Sequence, residues 1–374
     1  MKPTITPRQL SIYTQPITDI YIALEQEIFD MIVNRLKTNK GNDKDYVLQW
    51  QVEKMQQLRM LNIETIQALS KATGIAEKEI IQAINEVGYE TIHSVDEELK
   101  YLKKKRPIPT HIDTILEQYV KQTFREIDNY VNQTLITTQY GEGTVTRMYR
   151  KIVEETTGRV LAGTKTINQA MAETVIRWAD KGVETSFVDK GGNTWHVERY
   201  VDTVLRSTVN RTYNELRMSR MDEHDVSLVL VSSHAAPRPA CSKIQGRVAS
   251  IKPPSENTSK YPSIYEFGYG EPDGIRGINC KHIFYPYVEG LSENNQIQYD
   301  EEKANERYEL TQKQRYYERQ IRKAKRNLKI AEQAGEEQLI NKYKKQVRNR
   351  QAKVREFINT NDLPRRYDKE RIIL

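Results

Sequence analysis

Both cysteines and two of the six histidines of this 374-residue chain fall between Ser227 and Gly290. Thiol and imidazole are the side chains that ligate borderline-soft divalent metals, and they are spaced here as His234-x6-Cys241 and Cys280-x-His282. A Cys2His2 set of this kind suits one structural tetrahedral zinc ion in a loop-rich region with little core. The spacing is not that of a standard finger, so the same residues also read as small buried thiols and hydrogen-bonded histidines. A Cys241–Cys280 disulfide is the third reading, and it needs an oxidising compartment that nothing else in the chain calls for.

Catalysis has a thinner basis. His234, Asp273 and His282 can be drawn as a metal-dependent hydrolytic group. A catalytic zinc keeps an open position and needs a nearby base, whereas all the ligand-type residues here can be used in closing a structural site. No Ser-His-Asp order, paired glycosidase carboxylates or nucleotide motif stands out, and Gly191-Gly192 lacks the GxxxxGK[ST] spacing of a phosphate loop. The reading is therefore a non-enzyme, with a nuclease-like activity as the catalytic alternative.

The elements that must position these residues are short strands. Leu228 to Val231 form an apolar, β-branched run with His234 just beyond it, and Arg247 to Ile251 alternate as a second strand. Pro237, Pro239 and Gly246 interrupt between them. Gly268, Gly270, Gly274 and Gly277 give backbone freedom on the approach to Asn279-Cys280-Lys281-His282, and Ile283-Phe284-Tyr285 reads as a third strand closed by Pro286.

The segment SSHAAPRPACSKIQGRV followed by YPSIYEFGYGEPDGIRGINCKHIFYPYVEG resembles the signature of the phage minor capsid proteins (minor capsid protein 2 type) of tailed phages of Gram-positive hosts. These are related to the Mu-F-like head morphogenesis proteins. The shared features are the Ser-Ser-His start, the Arg-Pro step, Gln-Gly before a basic residue, Gly-Tyr-Gly, and Asn-Cys-basic-His, in that order. The likeness extends to Gly191 through Arg206 and to the region from Ile20-Tyr21 to Trp50-Gln51. One departure stands at Arg238-Pro239-Ala240-Cys241, where the family pattern has Arg-Pro-Ser/Ala-His; His and Cys both ligate zinc. The resemblance implies a low-copy virion component near the portal, inside the capsid, incorporated during procapsid assembly. The implied partners are the portal protein, the major capsid or scaffolding protein, and packaged double-stranded DNA.

Composition is consistent with that expectation. A length of 374 residues exceeds a typical single domain. With 37% hydrophobic and 29% charged residues the chain is surface-rich. Twenty-two tyrosines against 6 phenylalanines put a polar end on most aromatic rings, as suits half-buried contacts. A formal net charge of +7 favours an acidic partner, nucleic acid or protein. No run is apolar and long enough to cross a bilayer, and MKPTITPRQLSIYTQP has no apolar signal core. The expected setting is the host cytoplasm, where the chain is made, and a particle assembled there. The alternative function is a zinc-stabilised cytosolic nucleic-acid-binding or nuclease-like processing factor.

In chain order, the fold is expected to be mainly α with a central α+β unit. Residues 1–18, with Pro3, Pro7 and Pro16, read as an extended arm. Residues 19–143 read as a helical N-terminal domain for portal or partner contact. Within it, Ile63 to Val87 reads as two short helices joined at Thr73-Gly74-Ile75, a helix-turn-helix by shape. Glu77, Glu79 and Glu86 would face phosphates unfavourably, so an ordinary helical hairpin is preferred to a DNA reader. Lys103 to Arg106 is a charged linker, and Gly141 and Gly143 mark the boundary.

Residues 144–296 read as an α+β core in which a small antiparallel sheet is flanked by helices. Thr166 is placed to cap a helix, and Phe187 to Val197 form a hairpin turning at Gly191-Gly192. Arg206, Arg211, Arg217 and Arg220 share a helix with an apolar side and read as acid contacts or as a solvated face.

Residues 297–374 read as a basic helical hairpin broken at Gly335. Between Arg315 and Arg355 there are 14 Lys or Arg against 4 Glu. The expected phosphate contacts are Arg322, Lys323, Lys325, Arg326, Lys329, Lys342, Lys344, Lys345, Arg348 and Arg350. Lysine and arginine on such faces bind phosphates without sequence preference and with strong salt dependence. The same faces also read as a solvated hairpin that docks on protein.

Overall fold

The structure, a computed structural model, describes residues 7–38, 44–102, 107–109, 111–138, 141–162, 165–189, 191–278 and 280–372. The charged linker Lys103 to Arg106, the first six residues of the arm and Asn279 lie outside them. The protein is mainly α-helical with a small antiparallel α+β unit, and it divides into two compact units.

The first unit comprises residues 1–17, 77–125 and 202–312. Its centre is a three-stranded antiparallel sheet of β5 (Leu228–Val231), β6 (Val248–Ser250) and β7 (Phe284–Tyr287), in the order β6-β5-β7. These are the three strands the apolar runs predict. β5, paired on both sides, is the apolar one, with Val229, Leu230 and Val231 buried. Pro286 lies inside β7 rather than after it, and an edge strand tolerates the missing N–H. Val229, Val231, Ala249 and Phe284 pack with Val95, Leu99, Met221, Ile244, Ile264, Ile275 and both cysteines in one core. Val95 of that core comes from the C-terminal part of α3 (Leu58–Glu98) and Met221 from α8 (Val197–Glu223).

The second unit comprises residues 18–76, 126–201 and 313–374. It contains most of α1 (Pro7–Leu36), α2 (Lys44–Gln56), the start of α3, α6 (Thr144–Ala162), α7 (Ile167–Lys181), most of the C-terminal helix α10 (Glu301–Ala334) and all of α11 (Glu337–Thr360). The hairpin of β3 (Glu184–Val188) and β4 (Thr194–His196) is present as expected, turning through Gly192 at φ 79°. Thr166 caps α7, its hydroxyl accepting from the Gln169 amide at 3.0 Å. Gly335, at φ 76°, separates α10 from α11. Its amide donates to the Ala331 carbonyl at 3.0 Å. α10 and α11 meet through Ile321, Val354 and Ile358, with Tyr317 and Phe357 against them.

Two expectations change. The extended arm is helical from Pro7 onward. Proline is tolerated in a first helical turn, where its missing N–H has no partner to lose. Leu10 and Ile17 are both buried, which favours the helix over an arm despite Pro16. Residues 63–87 fold neither as the expected hairpin of two short helices nor as a helix-turn-helix, because α3 runs unbroken from Leu58 to Glu98. Gly74 lies within it, exposed, and one mid-helix glycine costs only about 1 kcal/mol. The chain divides compactly at 17/18, close to the expected end of the arm, and at 76/77, 125/126, 201/202 and 312/313. Each unit is assembled from three separated stretches, and the divisions fall inside α1, α3, α4 (Ile112–Ile127), α8 and α10.

Candidate functional site

The sheet brings the ligand-type side chains of the first unit together. The pairing of β5 with β7 continues past the strand end, with the Ser232 amide donating to the Ile283 carbonyl at 2.8 Å. Ile283 in turn donates its amide to Ser232 Oγ at 2.9 Å. That register places His282 beside the end of β5. Cys241 comes from α9 (Pro239–Ser242), a single turn started by Pro239 at its first position. Gly246, at φ 72°, then returns the chain into β6.

Cys241 Sγ and Cys280 Sγ are 3.8 Å apart, and Cys280 Sγ is 3.5 Å from His282 Nδ1. All three ligand atoms lie within 4.8 Å of one another, and all three residues are buried. The sulfur separation excludes a formed disulfide, whose bond is about 2.05 Å. His234, the fourth residue of the expected set, is not among these atoms. Its ring instead stacks on His282 with centroids 4.6 Å apart.

Three further residues support this cluster: Gln245 and Arg238, which belong to the Gln-Gly and Arg-Pro steps of the signature, and Arg276, which the sequence pattern did not single out. Gln245 Oε1 is 3.3 Å from His282 Nε2 and accepts from the His234 amide at 3.1 Å. Arg238 Nη2 donates to the Gly274 carbonyl at 2.6 Å and lies 3.6 Å from Cys241 Sγ. Half-buried Arg276 donates to the Asn210 carbonyl at 2.6 Å and to the carbonyl of His282. Their role beside the cluster is not given by spacing, since Gln245 and His282 are 37 residues apart.

The two thiols do not hold protons equally. Cys241 donates toward Cys280, and that hydrogen bond, reinforced by burial, raises the Cys241 thiol above its ordinary value. Accepting the same bond lowers Cys280 well below its ordinary value; burial opposes this, while His282 and Arg276 assist it. Of the two, the Cys280 thiol is the readier to lose its proton, and it lies beside a ring nitrogen. Such a thiol can bind a thiophilic metal, and no carboxylate belongs to the cluster among the described residues.

The expected phosphate contacts separate into two groups. On α10 the cations are engaged within the second unit. Arg322 pairs with Glu198 at 2.7 Å and Lys323 with Asp180 at 3.3 Å. Arg326 pairs with Glu25 at 3.4 Å, Lys329 with Asp30 at 2.9 Å, and Lys325 donates to the Glu370 carbonyl at 2.8 Å. On α11, Arg350 donates to the Gln320 carbonyl at 2.5 Å, and Lys342 lies 5.4 Å over the Tyr343 ring. Lys342, Lys344, Lys345 and Arg348 are exposed, and none of the four has an ion-pair partner among the described residues.

The arginines of α8 also divide. Arg206 pairs with Asp202 at 2.8 Å, one turn earlier on its own helix. Arg217 and Arg220 are fully buried, Arg217 on Glu98 at 2.5 Å and Arg220 on Asp96 at 2.7 Å. For these two neither a solvated face nor contact with an outside acid applies.

The family model for phage minor capsid protein 2 matches residues 5–359. A "Structural protein" of Lactococcus phage LL-H is 36% identical over 362 residues, covering 94% of this chain and 98% of that protein. A "Structural protein" of Lactococcus phage mv4 is 49% identical over 114 residues, 30% of this chain and 93% of that protein. No solved structure matches the chain.

Proposed function

The chain belongs to the phage minor capsid protein 2 family, and from that membership we propose that it is a low-copy structural component of the virion, held inside the head near the portal and incorporated during procapsid assembly. Full-length likeness to a phage structural protein carries this reading, since 98% of that relative is covered. No enzymatic step is part of it. No helix among the described residues is long and apolar enough to cross a membrane.

Two surfaces of the second unit support contacts of different kinds. α2 and the first turns of α3 expose Leu48, Val52, Met60 and Ile63, each between 48% and 58% accessible. Exposed apolar side chains of this kind suit a protein partner, for which portal protein is proposed, with major capsid or scaffolding protein as the further head components it meets. α11 presents Lys342, Lys344, Lys345 and Arg348 to solvent. We place packaged double-stranded DNA against that face, held through phosphates without sequence preference. The cations of α10 are left out of the contact, because their charge is already used on Glu198, Asp180, Glu25 and Asp30.

The experiment is duplex DNA binding by the full chain across a salt series. Each phosphate neutralised contributes about −0.9 to the slope of log K against log salt. The triple variant Lys344→Glu, Lys345→Glu, Arg348→Glu should bind more weakly, with a slope shallower by about 3. An unchanged affinity and slope would remove DNA from this face.

A further inference from the structure

Two of the distances in the cluster, Cys241 to Cys280 and Cys280 to His282, are those between ligands on a tetrahedral metal ion, and all three ligand atoms lie within 4.8 Å of one another. Zinc lies about 2.3 Å from thiolate sulfur and about 2.05 Å from imidazole nitrogen. At tetrahedral angles those bond lengths put two sulfurs about 3.8 Å apart and a sulfur and nitrogen about 3.5 Å apart. The protein has Cys241 Sγ to Cys280 Sγ at 3.8 Å and Cys280 Sγ to His282 Nδ1 at 3.5 Å. We propose that Cys241, Cys280 and His282 supply three of the four ligands of one zinc ion, the fourth position being left to a water molecule, and that this ion clips α9 to the start of β7.

The surroundings are those of a metal ligand set. A ligating histidine usually donates its other ring N–H to an acceptor that fixes the tautomer. Here His282 Nε2 faces Gln245 Oε1 at 3.3 Å, which leaves Nδ1 directed at the thiols. Arg276 holds the His282 backbone and Arg238 reaches Cys241 Sγ, so the ligands are anchored from both sides of the loop. Two thiolates balance the charge of a divalent ion, leaving a neutral centre that the apolar core around Ile244, Ile275 and Phe284 accommodates. The competing account of the same distances is a van der Waals contact between two protonated thiols beside a histidine. The two accounts differ in metal content and in the effect of chelation.

The test uses the full chain purified without an affinity tag rich in histidine. Elemental analysis should find about one zinc per chain. Exchange with cobalt should give thiolate-to-cobalt charge transfer and the visible bands of tetrahedral cobalt. Cys241→Ser and Cys280→Ser should lose both signals. A variant that fails to fold leaves the wild-type measurements standing. With metal bound, the two thiols should resist a thiol reagent; after a strong chelator both should react, and the melting temperature should fall until zinc is returned. Wild type that is metal-free, takes up no cobalt and melts unchanged with chelator or added zinc would overturn the proposal. So would zinc retained in full by both serine variants. Neither result bears on the virion reading, which does not depend on metal.

Discussion

Asp189 closes the β3–β4 hairpin by accepting from the amides of Gly191 and Asn193, both at 2.9 Å, and from Trp195 Nε1 at 3.0 Å. These bonds, the one from Trp195 first, hold its carboxyl below the ordinary aspartate range. A depressed carboxyl stabilises the fold above its unfolded value, about pH 4, and that contribution disappears as pH falls through the folded value. Hydrogen-exchange protection of the Gly191 and Asn193 amides should therefore drop below about pH 4 in wild type and vary little in Asp189→Asn. Identical profiles would refute the assignment.

Arg217 is the opposite case, a charge with no access to water. It donates to Glu98, to the Phe284 carbonyl at 2.8 Å, and to Ser94 and Tyr213 hydroxyls at 3.2 and 3.1 Å. Arg217→Met strands the Glu98 carboxylate and should cost about 3–5 kcal/mol in chemical denaturation, with Arg217→Met/Glu98→Leu costing less. A loss below about 1 kcal/mol would mean the pair is solvated in solution. At this scale the thiols and His282 were legible because their chemistry is rare and clustered. Arg217 was not, because nothing in the spacing of Glu98 and Arg217 along the chain says that their helices pack together.

Among the elements, periodicity located the strands of the sheet, the α7 cap and the break at Gly335 without help from tertiary contacts. It failed at Gly74, where turn-forming chemistry competed with a long apolar repeat and the repeat prevailed. A built Cβ at Gly74 meets nothing within 4 Å. Gly74→Ala should therefore stabilise the protein by about 0.5–1 kcal/mol, raising the denaturation midpoint. Destabilisation would indicate that the chain does turn there. Gly274 contrasts with it, since a side chain at that position would run into the backbone of Gly268. Gly274→Ala should distort the loop that Arg238 holds beside Cys241 and lower stability.

For the molecule as a whole, charge counting overestimated the basic surface. The α10 cations belong to ion pairs whose acids lie at Glu25, Asp30, Asp180 and Glu198, far away in sequence. Which face of a helix is positive can be read from its own residues; which face another element covers cannot. For the same reason the C-terminal segment is not a detachable tail. Removing residues 299–374 strips Ile321, Val354 and Ile358 and those ion pairs from the second unit, and should abolish its cooperative unfolding. A truncated chain that still melts cooperatively in both units would contradict this.

The central claim concerns place in a particle, and quantitative mass spectrometry of purified virions and DNA-free procapsids from the encoding phage tests it most directly. The account predicts the protein in both, at low copy relative to the major capsid protein, because incorporation precedes packaging. Absence from both particles would contradict it.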